Sequence, residues 1–250
     1  MAMAAHSATT TATGIITTTT TTTTTTAGRM SADGAGRGGE GDLLHLHQWL
    51  SPAFPVGGFA FSQGLETAIA QGIVRDGAGV AGWAEAAVCH GAGRADAVLL
   101  ARARDAGADL AHLADLARAF AVSAERLVEA EEVGAAFVAR VHRITGRAAP
   151  CPLPYPVAVG WATAPLALAT ETVAAFWLHG LAAQIVGAAV RFLPLGAAEG
   201  QAILADLADA ILRQAAWAAG AQPADIATST PGADIAQMNH ETLEVRIFRS

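Results

Sequence analysis

The chain contains no lysine: all fifteen of its basic residues are arginine. No lysine amine is available for Schiff-base or nucleophilic chemistry. Charge of either sign is scarce, at 15% of 250 positions with a formal net charge of -7. No basic stretch stands out, which sets nucleic acid aside as a partner. Cysteine is nearly absent. Cys89 and Cys151 stand alone, so they build neither a disulfide framework nor a clustered zinc site, and they read as free thiols of a reducing cytosol. The phosphate-binding, dinucleotide-binding, zinc-protease and nucleophile-elbow signatures are all missing. So is an apolar stretch of the kind that opens a secretory signal.

What the chain has in quantity is apolar side chain, 52% of all residues. It is unevenly spread. Residues 1–40 hold ten consecutive threonines, Thr17 to Thr26, and a glycine-rich run from Gly34 to Gly39. Such a segment cannot bury enough surface to offset its ordering entropy, and it is read as a disordered tail. A folded domain is expected over residues 41–250, starting near Asp42.

Within that domain the apolar residues recur at helical spacing. Trp83, Ala87 and Val88 form one stripe, Leu110, Leu113, Leu116 and Phe120 a second, and Val133, Phe137, Val141 and Ile144 a third. Ser123 reads as an N-cap with Glu125 in the first turn, and Gly146 as a stop. Four prolines between Pro150 and Pro156 exclude helix interior there. Helices are expected over Val157 to Ala169, Glu171 to Leu193 and Glu199 to Gly220. The second of these is apolar nearly all round, as a helix surrounded by others is. No alternation of β type lasts beyond four residues. The expected fold is all-α, a single compact array of about 8–10 helices. Thr172 to Val190 is also long enough to cross a membrane. His179, Gln184 and many alanines, without flanking basic clusters, favour a core helix instead.

Candidate chemistry is thin. His45 and His47 diverge if they lie on a helix, as do Cys89 and His90. No metal ligand or cofactor site is assigned. Glu129, Glu131 and Glu132 read as a solvated helix face. Nothing assembles a nucleophile, a base and an orienting group, so the chain is read as non-enzymatic. A helical enzyme using scattered Glu and His residues is the alternative.

Two segments do not suit a plain helical domain. Leu50 to Glu66 carries Pro52 and Pro55, which prevent a helix, and Gly57 and Gly58, which permit unusual backbone angles. It also carries Phe54, Val56, Phe59 and Phe61, apolar surface that must pack on the core or on a partner. Ser62 reads as the N-cap of a helix running to about Gln71. The second segment is the carboxyl end, which follows a polar break at Thr228 to Gly232 and finishes Arg246-Ile-Phe-Arg-Ser250. An arginine–aromatic pair is the composition of an interface hot spot. Phe248 could fill a pocket while Arg246 and Arg249 pair with carboxylates, on a partner or on its own domain.

Ser51-Pro-Ala-Phe-Pro-Val-Gly-Gly-Phe-Ala-Phe-Ser-Gln-Gly-Leu-Glu66 is similar to the signature S-P-A-L-P-V-G-A-F-S-Y-S-Q-G-L-E of the UreF family. The ending His240-Glu-Thr with Arg246 to Ser250 resembles that family's H-E-T…R-L-F-R-S terminus. Val190 to Gly196 and the helix around Ser123 and Gly134 resemble the segments between, in the same order. Phe61 stands where the family commonly has Tyr, Ala197 where it has Gln, and Asn239, Glu244 and Val245 depart in the tail. The resemblance implies an all-α accessory protein of the cytoplasm that tends to dimerise. It implies a place between a UreD (UreH) subunit and the GTPase UreG, in a complex that delivers nickel to apo-urease. It implies no catalysis and no permanent metal. Partner-binding residues carried over are Ser51, Pro55, Gly57, Phe59, Ser62, Gly64 and Glu66 in the first motif, and His240, Glu241, Arg246, Phe248, Arg249 and Ser250 in the tail. Residues 233–250 would form the partner-docking segment.

Overall fold

A computed structural model describes residues 38–250. The low-complexity segment read as disordered lies outside them, except for its end. Gly38–Leu50 already forms helix α1, with Glu40 in a first turn that favours negative charge. The described residues form eleven α-helices and two single-turn 3-10 helices, Gly58–Ala60 and Pro223–Asp225, with no strand. The remaining helices are α2 (Leu65–Ala70), α3 (Gly77–Cys89), α4 (Ala92–Ala103), α5 (Leu110–Ala119), α6 (Ala124–Thr145), α7 (Tyr155–Thr163), α8 (Thr170–Phe192), α9 (Ala197–Asp206), α10 (Ala208–Gly220) and α11 (Pro231–His240).

Helix ends follow local chemistry. Asp76, Asp109 and Ser123 each accept the backbone N–H three residues on, opening α3, α5 and α6. Gly146, at φ 74°, closes α6 as its sequence suggested. Helix α7 begins at Tyr155, inside the proline-rich run, because Pro156 falls in the first turn, where its missing N–H costs nothing. It ends at Thr163, earlier than expected, just before Pro165. Arginine forks hold the carbonyls at its end and just beyond: Arg147 donates to Trp161 and Ala162, and Arg104 to Thr163 and to Leu168 past the helix. The expected helix from Glu199 to Gly220 is two, α9 and α10, parted at Leu207. No proline or glycine marks that break.

Helix α8 is the axis of the fold, as its all-round apolar character suggested, and packs against α1, α2, α3, α4, α9 and α10. Val173, Leu178, Ala182, Ile185 and Ala189 are fully buried on it. It is long and apolar enough to span a membrane, with half of its apolar window buried inside the helical body. Helices α6 and α7 lie close together because Gly134 has no side chain. A Cβ there would stand 2.2 Å from the Leu153 carbonyl oxygen.

Candidate functional site

The two unusual segments meet each other. Leu50 to Phe61 has the irregular course that its prolines and glycines suggested, with Gly57 at φ 81°. Beyond it the chain turns through Gln63 (φ 56°) and Gly64 (φ 74°) into α2. Ser62 was expected to cap this helix, but Gly64 occupies the cap. A Cβ on Gly64 would lie 2.8 Å from Gln237 Cγ and 2.9 Å from Gln237 N, so glycine lets α11 press against the start of α2. The Ser62 hydroxyl still accepts the Glu66 N–H in the first turn, at 3.3 Å, and Ser62 has another task as well. Its backbone N–H donates to the Ser250 carbonyl at 2.7 Å, and its hydroxyl donates to the same oxygen.

The tail after α11 folds back over this motif. Arg249 N–H donates to the Ala60 carbonyl at 2.8 Å. The buried Glu66 carboxylate accepts the backbone N–H groups of Ile247 at 2.8 Å and Phe248 at 2.9 Å. The same carboxylate meets His240 Nε2 at 3.0 Å, while His240 Nδ1 lies 2.6 Å from Glu125. His240 is fully buried with a carboxylate at each ring nitrogen, an arrangement that uses two donors only when the imidazole is protonated. Arg246 donates to the other Glu125 oxygen at 2.6 Å, and Arg249 to Glu132 at 2.7 Å. Glu241 accepts the N–H of Ala124 at the start of α6, where the helix dipole favours an anion. The Phe248 ring is buried against Phe192, with centroids 5.3 Å apart.

The carried-over residues therefore divide. Ser62, Gly64, Glu66, His240, Phe248 and Ser250 are buried and hold the two segments together. Phe248 fills a pocket of its own chain. Glu241, Arg246 and Arg249 are exposed while bonded to α6. Phe59 is 69% exposed, and Pro55 is exposed. Ser51 and Gly57 are half-buried, Ser51 accepting the N–H of Ala53. The tail's outer edge carries Val245 and Ile247, exposed to 79% and 74%.

A second polar cluster lies beneath the first motif. Arg126 pairs with Asp96 and with Glu129, the latter at 3.3 Å. Gln63 donates to both Glu129 oxygens at 2.9 and 2.7 Å, and Gln184 donates to Glu129 and to the Phe61 carbonyl. The positive φ of Gln63 aims its amide at this carboxylate. Burial pushes the Asp96 and Glu129 carboxyls above their ordinary values, with Arg126 pulling against it. The solvated reading of the glutamates on α6 thus fails for Glu129. Glu131 and Glu132 are exposed partners of Arg118 and Arg249, whereas Glu129 turns inward. Its spacing to Val133 and Phe137, residues of the inner stripe, was the available signal. These groups form one wall of a cavity of about 540 Å³ between the 50–59 loop and α8, lined also by Phe54, Tyr155 and Trp177. Burial, with Glu129 adding to it, pushes the Tyr155 hydroxyl well above its ordinary value.

Among the described residues no group of three His, Cys, Asp or Glu is placed to hold a metal ion. His45 stacks on Trp49, and His47 is exposed. The arrangement offers charge-assisted hydrogen bonds that shape a surface.

A UreF family model matches residues 74–208. The chain is 55% identical to the urease accessory protein UreF of Cereibacter sphaeroides strain KD131 over 208 residues, covering 83% of this chain and 98% of that protein. It is 50% identical to the UreF of a Jannaschia species over 220 residues, covering 88% and 100%. It is 52% identical to the UreF of Paracoccus denitrificans over 211 residues, covering 84% and 97%.

Proposed function

The chain belongs to the UreF family of urease accessory proteins, and from that premise we propose that it is a non-catalytic adaptor in the GTP-dependent complex that inserts nickel into apo-urease. In this reading it works in the cytoplasm, pairs with a second copy, and bridges a UreD/UreH-type subunit and a UreG-type GTPase, tuning the latter's GTP hydrolysis.

The observation that carries the reading is the union of the first motif with the tail. Nine-tenths or more of the Glu66, His240, Phe248 and Ser250 surface is buried in holding that union. Such an investment in a chain terminus, which ordinarily frays, makes sense if a fixed surface results. The surface presents Val245, Ile247 and Phe59 beside the guanidinium groups of Arg246 and Arg249. Apolar residues ringed by arginine suit a protein partner. In this assignment the buried residues act as the scaffold, and the outer edge makes the contact.

The test is co-purification with the UreD/UreH-type subunit. Val245→Asp with Ile247→Asp is expected to cut capture at least about tenfold, the size of one hot-spot residue, with helical content unchanged. Capture at wild-type yield by this variant would remove the tail from the interface.

A further inference from the structure

A groove of about 730 Å³ lies between the end of α1, the 51–55 stretch of the first motif and the last turns of α6. Its rim carries the cations Arg140 and Arg143 with His47 beside them, and its apolar part is Pro55 and Ile144, next to the buried Phe54. No carboxylate lines it among the described residues.

In a chain where carboxylates outnumber arginines 22 to 15, this groove carries two arginines and no acid. Among the described residues Arg102, Arg118, Arg126, Arg246 and Arg249 meet a carboxylate, while Arg94, Arg104 and Arg147 spend their donors on Gln214, a threonine hydroxyl or backbone carbonyls. Arg140 instead makes a single 3.4 Å bond to the Ala136 carbonyl of its own helix, and Arg143 meets no carboxylate among the described residues. Both are exposed. The dipole of α6 favours cations at its carboxyl end, but only over the last turn. It accounts for Arg143 and not for Arg140, nor for the absence of acids across the groove. Ile144 is 49% exposed on the same rim.

We propose that this groove docks an acidic segment of a protein partner, with an apolar side chain flanked by carboxylates. The apolar residue would cover Pro55 and Ile144. The carboxylates would take the guanidinium forks of Arg140 and Arg143, whose planar geometry suits bidentate pairing. The inference rests on the adaptor reading and gives the Ser51–Pro55 part of the first motif a contact distinct from the tail's.

The full chain is titrated with a fluorescein-labelled peptide of Glu, Asp, Leu and Phe, with a Lys-substituted counterpart, and with the purified UreD/UreH-type and UreG-type subunits. The acidic peptide is expected to bind, the Lys peptide to fail, and binding to weaken as salt rises. Arg140→Glu with Arg143→Glu is expected to lower peptide affinity, and that of one of the two subunits, at least about tenfold. Arg213→Glu, at an exposed site on α10, is expected to change neither. If the charge reversal perturbs folding by circular dichroism, Arg140→Gln with Arg143→Gln replaces it. Equal peptide binding by wild type and variant, or none at low salt, overturns the proposal. So does a large gain in peptide binding on removing residues 1–37, which would give the groove to the chain's own amino-terminal segment. Peptide binding with neither subunit captured by the wild type would leave the groove standing and remove the adaptor reading.

Discussion

Replacing Glu66 with alanine is the most direct probe of how the tail is held. The carboxylate accepts two backbone N–H groups, from Ile247 and Phe248, and faces His240 Nε2. Hydrogen bonds to a charged group contribute about 1.5–3 kcal/mol each. Losing the two backbone bonds should therefore weaken tail docking by at least about 3 kcal/mol, or about a hundredfold in the opening equilibrium. Removing the carboxylate also leaves buried donors without acceptors and the His240 ring with one anionic neighbour. The helical body is not expected to unfold, because the tail can detach while α3, α4 and α6 to α10 stay packed. The assay is amide hydrogen exchange at native pH. Ile247 and Phe248 should exchange about a hundredfold faster in Glu66→Ala, with Leu99 and Ile185 on buried helices unchanged. Wild-type exchange at Ile247 and Phe248 would refute the assignment of Glu66 as the tail's anchor.

Gly64→Ala should act on the same contact from the other side. At φ 74°, with a Cβ meeting Gln237 at under 3 Å, alanine must push α11 away from α2. A loss of about 1–3 kcal/mol is expected in thermal or denaturant unfolding, and a variant as stable as wild type would count against the close approach. The Glu129 cluster should show in the pH dependence of stability. Burial holds the Glu129 carboxyl above its ordinary value of 4.5, so the folded chain keeps a proton that the unfolded chain releases. The stabilisation from this group is complete below pH 4.5 and is lost as pH rises through the raised folded value. Glu129→Gln should flatten that decline, and parallel melting-temperature curves for the two proteins across this range would contradict the assignment.

Helix content was legible because it is local. Apolar residues recurring every three or four positions, Ser123 ahead of α6 and Gly146 behind it each carry their meaning within a turn or two. The break between α9 and α10 was not legible, since nothing at Leu207 differs from a good helix position. The site was half legible. Composition flagged both segments as unlike solvent-exposed loops, and the family resemblance paired them as functional. Neither could say that they bind each other: Glu66 and Phe248 are 182 positions apart, and periodicity holds no information at that range. Ser62 illustrates what this hides, since it accepts a first-turn N–H of α2 as local rules suggest and also binds the tail. A serine ahead of a helical stretch is an N-cap by local rules, and only the tail's arrival reveals its other partner. The inward turn of Glu129 was visible in its register, but the solvated reading took three neighbouring glutamates as one class.

Helix α6 ties these features into one argument. Its first turn holds the tail through Glu125, its second turn sends Glu129 into the buried cluster, and its last turns carry Arg140 and Arg143. From Glu125 to Arg143 a straight helix rises about 27 Å, more than a single short segment would cover while also reaching around the body. The tail edge and the cationic groove therefore sit at opposite ends of one stiff element, which packs against the shorter α7 with Gly134 at the closest approach. Rigid spacing of this kind holds the two surface regions at a fixed separation without a moving part. It also explains why the buried polar cluster is placed under the first motif. Gln63 and Gln184 tie the loop and α8 to the second turn of α6, so the loop that contributes to both surfaces is fastened to the helix that separates them.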